Sequence, residues 1–128
     1  MNKEFIPYEQ ALELKELGFN EPCMFPYHRN NTDYIDSTHI ELANYNATEK
    51  LVSAVLYQQA FRFFREKYYL DAEIYLQENL GHKFYHYLIL QLSSGNIKWL
   101  SKNTTKFQIY EEAEIACLKQ LIELIKNK

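Results

Sequence analysis

Cysteine, glycine, proline and tryptophan are all scarce in this chain, and each scarcity closes off a class of protein. Of 128 residues, two are cysteine, three glycine, three proline and one tryptophan. Two thiols, Cys23 and Cys117, cannot build the cross-linked framework of a small secreted domain; they suit a reducing compartment. Neither belongs to a Cys-x-x-Cys pair, so no structural zinc site is expected. No apolar run reaches the roughly 18–20 residues that span a bilayer, and the N-terminus has no apolar signal core. Glycine-rich phosphate loops, nucleophile elbows and zinc-protease signatures are also missing. Charge is nearly balanced, with 14 basic and 17 acidic side chains and a formal net charge of −3. That argues against a protein that coats DNA.

What is abundant is apolar and aromatic surface. Apolar residues make up 47% and aromatic ones 16%, with eleven tyrosines and eight phenylalanines. A chain of this length and composition builds a packed core and fits one domain, taken here as residues 1–128.

The few glycines and prolines punctuate the elements. Pro7 opens a helix over 8–17, stopped by Gly18 with apolar Phe19 folding back. Residues 19–48 show no sustained period and are read as irregular, with a packed loop or a short strand near Thr38–Ala43. A helix is predicted over 49–68, because Val52, Ala54, Leu56, Ala60, Phe63 and Phe64 share one wide arc. Alternation then predicts strands over 71–77, 83–92 and 97–101, with turns at Glu78–Gly81 and Ser93–Asn96. Asn103, Thr104 and Thr105 end the last strand. A final helix covers 110–126, with Glu111, Glu112 and Glu114 in its first turns and Lys126 in its last, matching the helix dipole. The fold class is α+β: two or three helices packed on one face of a small antiparallel sheet of two or three strands.

Residues suited to catalysis or metal binding are read as structural. His82 and His86 lie near the start of a strand, where His86 falls on the apolar face as a packed histidine. Cys23 could be paired with His28 or His39 as nucleophile and base, yet nothing fixes their separation. Asp33 and Asp36 read as surface carboxylates, and Cys117 as an inert buried thiol. No catalytic residue, metal ligand or cofactor is assigned.

A partner surface has better support. Residues 1–48 hold three basic and eight acidic side chains, a balance of −5, whereas residues 49–110 hold eight and five, a balance of +3. Gln58, Arg62 and Arg65 share the polar arc of the second helix, where guanidinium forks fit carboxylate or phosphate. Tyr75, Tyr85 and Tyr87 are assigned to the outward face of the sheet. Such a row suits a protein interface, unpaired bases or plain solvated surface.

Three segments carry a resemblance: YEQALELKELGFNEPC (Tyr8–Cys23), YQQAFRFFREKY (Tyr57–Tyr68) and YEEAEIACLKQLI (Tyr110–Ile122). In order and spacing they resemble a family of small, mostly uncharacterised proteins encoded by phages and prophages of the Bacteroidota. The resemblance implies a gene product acting in the host bacterial cytoplasm, away from membranes, and carries no catalytic residue over. It implies a non-catalytic inhibitor of a host defence protein such as a CRISPR effector. An anti-CRISPR against an RNA-targeting type VI effector is the sharpest form, with RNA met through that partner. A nucleic-acid-binding accessory factor and a small phage structural protein are the alternatives, and monomer and homodimer both stay open.

Overall fold

The computed structural model describes residues 2–29, 31–38, 41–102 and 105–127. It is an α+β protein whose chain divides into two compact units, Met1–Ala60 and Phe61–Lys128.

The first unit begins with a 3₁₀ turn at Asn2–Glu4 and helix α1, Tyr8–Glu16. Gly18, at φ 94°, ends α1 as expected. Its N–H reaches the Lys15 carbonyl at 3.0 Å, and the Phe19 N–H reaches Leu14 at 2.9 Å. These are the two bonds that close a helix when the following residue turns left-handed. Phe19 and Leu14 are both buried, so the stop is also a packing contact.

Residues read as irregular hold two strands, β1 (Pro26–His28) and β2 (Asn31–Ile35), and a 3₁₀ turn at Tyr45–Ala47. The expected helix over 49–68 is likewise corrected. Its first part is strand β3, Leu51–Ser53, and helix α2 spans only Tyr57–Tyr68. The antiparallel sheet runs β2–β1–β3, with Tyr27 opposite Val52. Val52, Ser53, Ala54 and Val55 are all buried, so this stretch is shielded from water on both sides. Burial on both sides hides the alternation of a strand, and a helical wheel absorbs such residues into a wide arc. The expected strand at Thr38–Ala43 falls partly on residues 39 and 40, outside the described set. At its end Ala43 makes an isolated antiparallel bridge to Cys23.

Helix α2 starts where Gln59 reaches back to accept the Leu56 N–H at 3.1 Å, half of a capping box.

The second unit holds the expected meander: β4 (Leu70–Asn79), β5 (His82–Ser93) and β6 (Asn96–Lys102), in the order β4–β5–β6. Asn103 and Thr104, expected to end it, lie outside the described residues. Helix α3 runs from Tyr110 to Lys126, as predicted, and packs on β4 and β5. Leu70, Ile89, Ala113, Cys117, Leu118, Leu121 and Ile122 form the core of this unit. Among the described residues no helix is long and apolar enough to cross a membrane.

Candidate partner-binding surface

In a ladder, residues directly opposite one another share a sheet face, so register decides which side chains can meet. Ala72 pairs with Ile89, Ile74 with Tyr87, and Leu76 with Tyr85. This set, with Leu70 and Gln91, lies on the face toward α3, which leaves Leu76 at the far end 53% exposed. Tyr85 meets the edge of the Tyr110 ring of α3 at 5.7 Å, and its backbone pairs with Phe107. Near the other end of α3, Leu70, Gln91, Lys98 and Leu100 face Gln120 and Leu124 across a cleft of about 400 Å³.

The opposite face carries Asp71, Glu73, Tyr75 and Gln77 against Leu90, Leu88, His86 and Phe84. The tyrosine row read from the sequence is therefore divided. Tyr75 stands on one face, half-buried, with its ring stacked on His86. Tyr85 and Tyr87 stand on the other, beneath the helix, with Tyr87 buried. Alternation within each strand was read correctly, but the offset between strands is set by the Leu80–Gly81 turn, which single-strand periodicity does not contain.

The α2 group fares better. Gln58, Arg62 and Arg65 are all exposed, on positions separated by four and three residues of one helix.

Two large apolar side chains exposed on this sheet were not picked out from the sequence. On the same face as Tyr75, Leu90 opposes Trp99 and Leu92 opposes Ile97. Trp99 is 60% exposed and Ile97 65%. Tyr69, also exposed, is held at φ 58° between α2 and β4, where glycine is cheapest, and its carbonyl accepts the Leu92 N–H at 2.8 Å. The signal for the hairpin was present in the β5–β6 alternation, which puts large apolar side chains on both faces.

The thiols are poorly suited to nucleophilic work. Burial pushes Cys23 up to about 11, and its Sγ lies 3.6 Å from Gln59 Oε1. Burial, reinforced by Glu114, pushes Cys117 up to about 12. Thiolate, the reactive form, is then a trace species at neutral pH. His28 meets the carboxylate of Asp36, which also caps the Thr38 N–H at 2.9 Å. His39 lies outside the described residues, as does the Asp33 side chain. His86 is buried and packed, as read. Among the described residues no three His, Cys, Asp or Glu side chains gather as metal ligands.

The chain matches no family model, no curated protein and no solved structure.

The surface thus offers two kinds of anchor: guanidinium groups on α2, and aromatic and aliphatic side chains on the β5–β6 hairpin. Trp, Tyr and Arg are the residue types that most often dominate binding energy at protein interfaces.

Proposed function

We propose that this protein is a non-catalytic binder that acts by covering a site on a host defence protein. An anti-CRISPR that blocks an RNA-targeting type VI effector is the specific form. The observation that carries this reading is the paired exposure of Ile97 and Trp99 opposite Leu92 and Leu90. A contiguous exposed apolar patch costs solubility and marks interaction sites more often than chance. Arg62 and Arg65 on α2 add forks suited to carboxylates on a protein or to phosphates of a bound guide. Resemblance of the three sequence blocks to phage and prophage proteins supplies the setting.

The direct test is to titrate the chain into a purified, guide-loaded type VI effector and follow RNA cleavage. Stoichiometric loss of cleavage, with little dependence on salt, is expected. Undiminished cleavage at tenfold excess overturns the target assignment. Affinity for free RNA that collapses by orders of magnitude between low and moderate salt would instead favour the accessory nucleic-acid factor.

A further inference from the structure

The cleft between α3 and the sheet is lined by side chains that core packing alone does not explain. Leu70 pairs with Gln91 and Gln91 with Lys98, so these three stand in one row across β4, β5 and β6, on the face toward α3. A fourth residue joins them through an irregularity. The β5–β6 register shifts at Ile89 and Leu90, which oppose Ser101 and Trp99 and leave Leu100 with no residue opposite. A bulge of this kind re-aims a side chain, and Leu100 lines the cleft beside Lys98.

Across from this row, Gln120, Glu123, Leu124 and Asn127 recur at the i, i+3, i+4 and i+7 spacing of one helical stripe. The neighbouring stripe of α3, with Leu118, Leu121 and Ile122, is buried in the core. The stripe at the cleft is mostly polar, and it borders a volume of about 400 Å³. Small-ligand sites occupy roughly 300–1,000 Å³ and combine apolar walls with a few convergent polar groups.

Buried Leu70 and half-buried Leu100 and Leu124 supply the apolar walls. The charged groups are of opposite sign. Lys98 brings an ammonium from the sheet and Glu123 a carboxylate from the helix, and no ion pair joins the two. Asn127 Nδ2 donates to Glu123 Oε1 at 3.0 Å, which holds the carboxylate at the negative end of the α3 dipole. Among the described residues, the half-buried Gln120 amide has no hydrogen-bond partner.

We propose that this cleft binds a small zwitterion with an apolar arm, of the class of an α-amino acid with a large aliphatic or aromatic side chain. Its ammonium meets Glu123, its carboxylate meets Lys98 and accepts from the Gln120 amide, and its arm lies on Leu70, Leu100 and Leu124. Charge complementarity selects this class. Glu123 repels a lone carboxylate and Lys98 a lone amine, so only a ligand bearing both signs is attracted by both. Lys98 points to the sheet face opposite that of Ile97 and Trp99, so the site goes beyond the binding function proposed above and does not depend on it.

Calorimetric titration of the full-length chain with L-leucine, L-phenylalanine and L-tryptophan is the test. At least one of them is expected to saturate a single site with Kd below about 1 mM. Amide shifts in the nitrogen-15 NMR spectrum should gather at Gln91, Lys98 and Gln120. Lys98→Met and Glu123→Gln lie at exposed positions, so the free protein should keep its Tm. Each should weaken the ligand by about tenfold or more, the effect of losing one charge-assisted hydrogen bond. The same ligand stripped of its amine, or of its carboxylate, should lose as much. Absence of saturable binding by all three amino acids overturns the site, as do amide shifts that gather elsewhere. Binding that both variants leave unchanged, or that the deaminated ligand retains in full, overturns the zwitterion as its occupant.

Discussion

Tyr75 and His86 stand opposite one another on β4 and β5, with ring centroids 5.5 Å apart and planes 29° from parallel. His86 is 6% exposed, and its Nδ1 is buried with no hydrogen-bond partner. Stacking therefore supports this histidine while the ring nitrogen is left desolvated, and the two effects can be separated by substitution. His86→Phe keeps the stack and removes the unpaired nitrogen, so unfolding free energy should hold or rise by about 1 kcal/mol. His86→Ala removes the stack as well and should lower it by about 2–3 kcal/mol. Urea denaturation of both variants measures the difference, and a Phe variant as unstable as the Ala variant would show a polar role for the ring.

Asn46 organises the first unit through both ends of its amide. Its Oδ1 accepts the Ser53 N–H at 2.8 Å, and its Nδ2 donates to the Phe19 carbonyl at 2.9 Å. One side chain thus joins the residue after the α1 stop to strand β3. Asn46→Ala leaves the backbone groups of two buried residues without these partners, which should cost about 2–3 kcal/mol. Asn46→Asp keeps the acceptor for Ser53 but sets a carboxylate oxygen against the Phe19 carbonyl, so it should cost at least as much as the alanine, as thermal unfolding of the pair would show.

That bond pattern also explains which parts of the fold were legible in the sequence. Gly18 and Phe19 announce the end of α1, and α3 was placed to the residue, because those signals are local. The β4–β6 meander was read for the same reason, since each strand alternates within itself. The strands β1 to β3 were not, because Val52 to Val55 are buried all round and their pairing depends on partners some 25 residues away, Tyr27 with Val52. The candidate surface was half legible. Gln58, Arg62 and Arg65 follow from one helix, whereas grouping Tyr75 with Tyr85 and Tyr87 required a register that only the turn sets.

Glu114 makes stability depend on pH in a direction opposite to that of most carboxylates. Burial, with a smaller contribution from Glu111, raises its carboxyl from the usual 4.5 to about 7. The unfolded chain then releases this proton before the folded one does. Stability conferred while the group is protonated in both states is full below about pH 4.5, falls between 4.5 and 7, and stays lower above. Glu114→Gln should remove that descent, stabilising the protein at pH 8 by about 1 kcal/mol once screening at this half-exposed site is allowed for, and leaving it unchanged at pH 4. Chemical denaturation at the two pH values reads the effect; equal gains at both would assign it to packing.

The division of the tyrosines yields a final prediction that separates scaffold from surface. Tyr87 is buried beneath α3, opposite Ile74, so Tyr87→Ala opens a cavity in the second unit and should lower unfolding free energy by about 3 kcal/mol. Tyr85→Ala loses the edge contact to Tyr110 and should cost less, about 1–2 kcal/mol, because Tyr85 is only half-buried. Gln58, Arg62 and Arg65 are exposed on α2, where alanine is the best helix former, so their joint replacement should leave Tm within a few degrees of wild type. If α2 belongs to the docking surface, that triple variant weakens partner binding without unfolding, whereas Tyr87→Ala weakens it only in proportion to the fraction unfolded. Measuring affinity and Tm on the same preparations distinguishes the two, and a triple variant that binds as tightly as wild type removes α2 from the surface and leaves the β5–β6 hairpin to carry it.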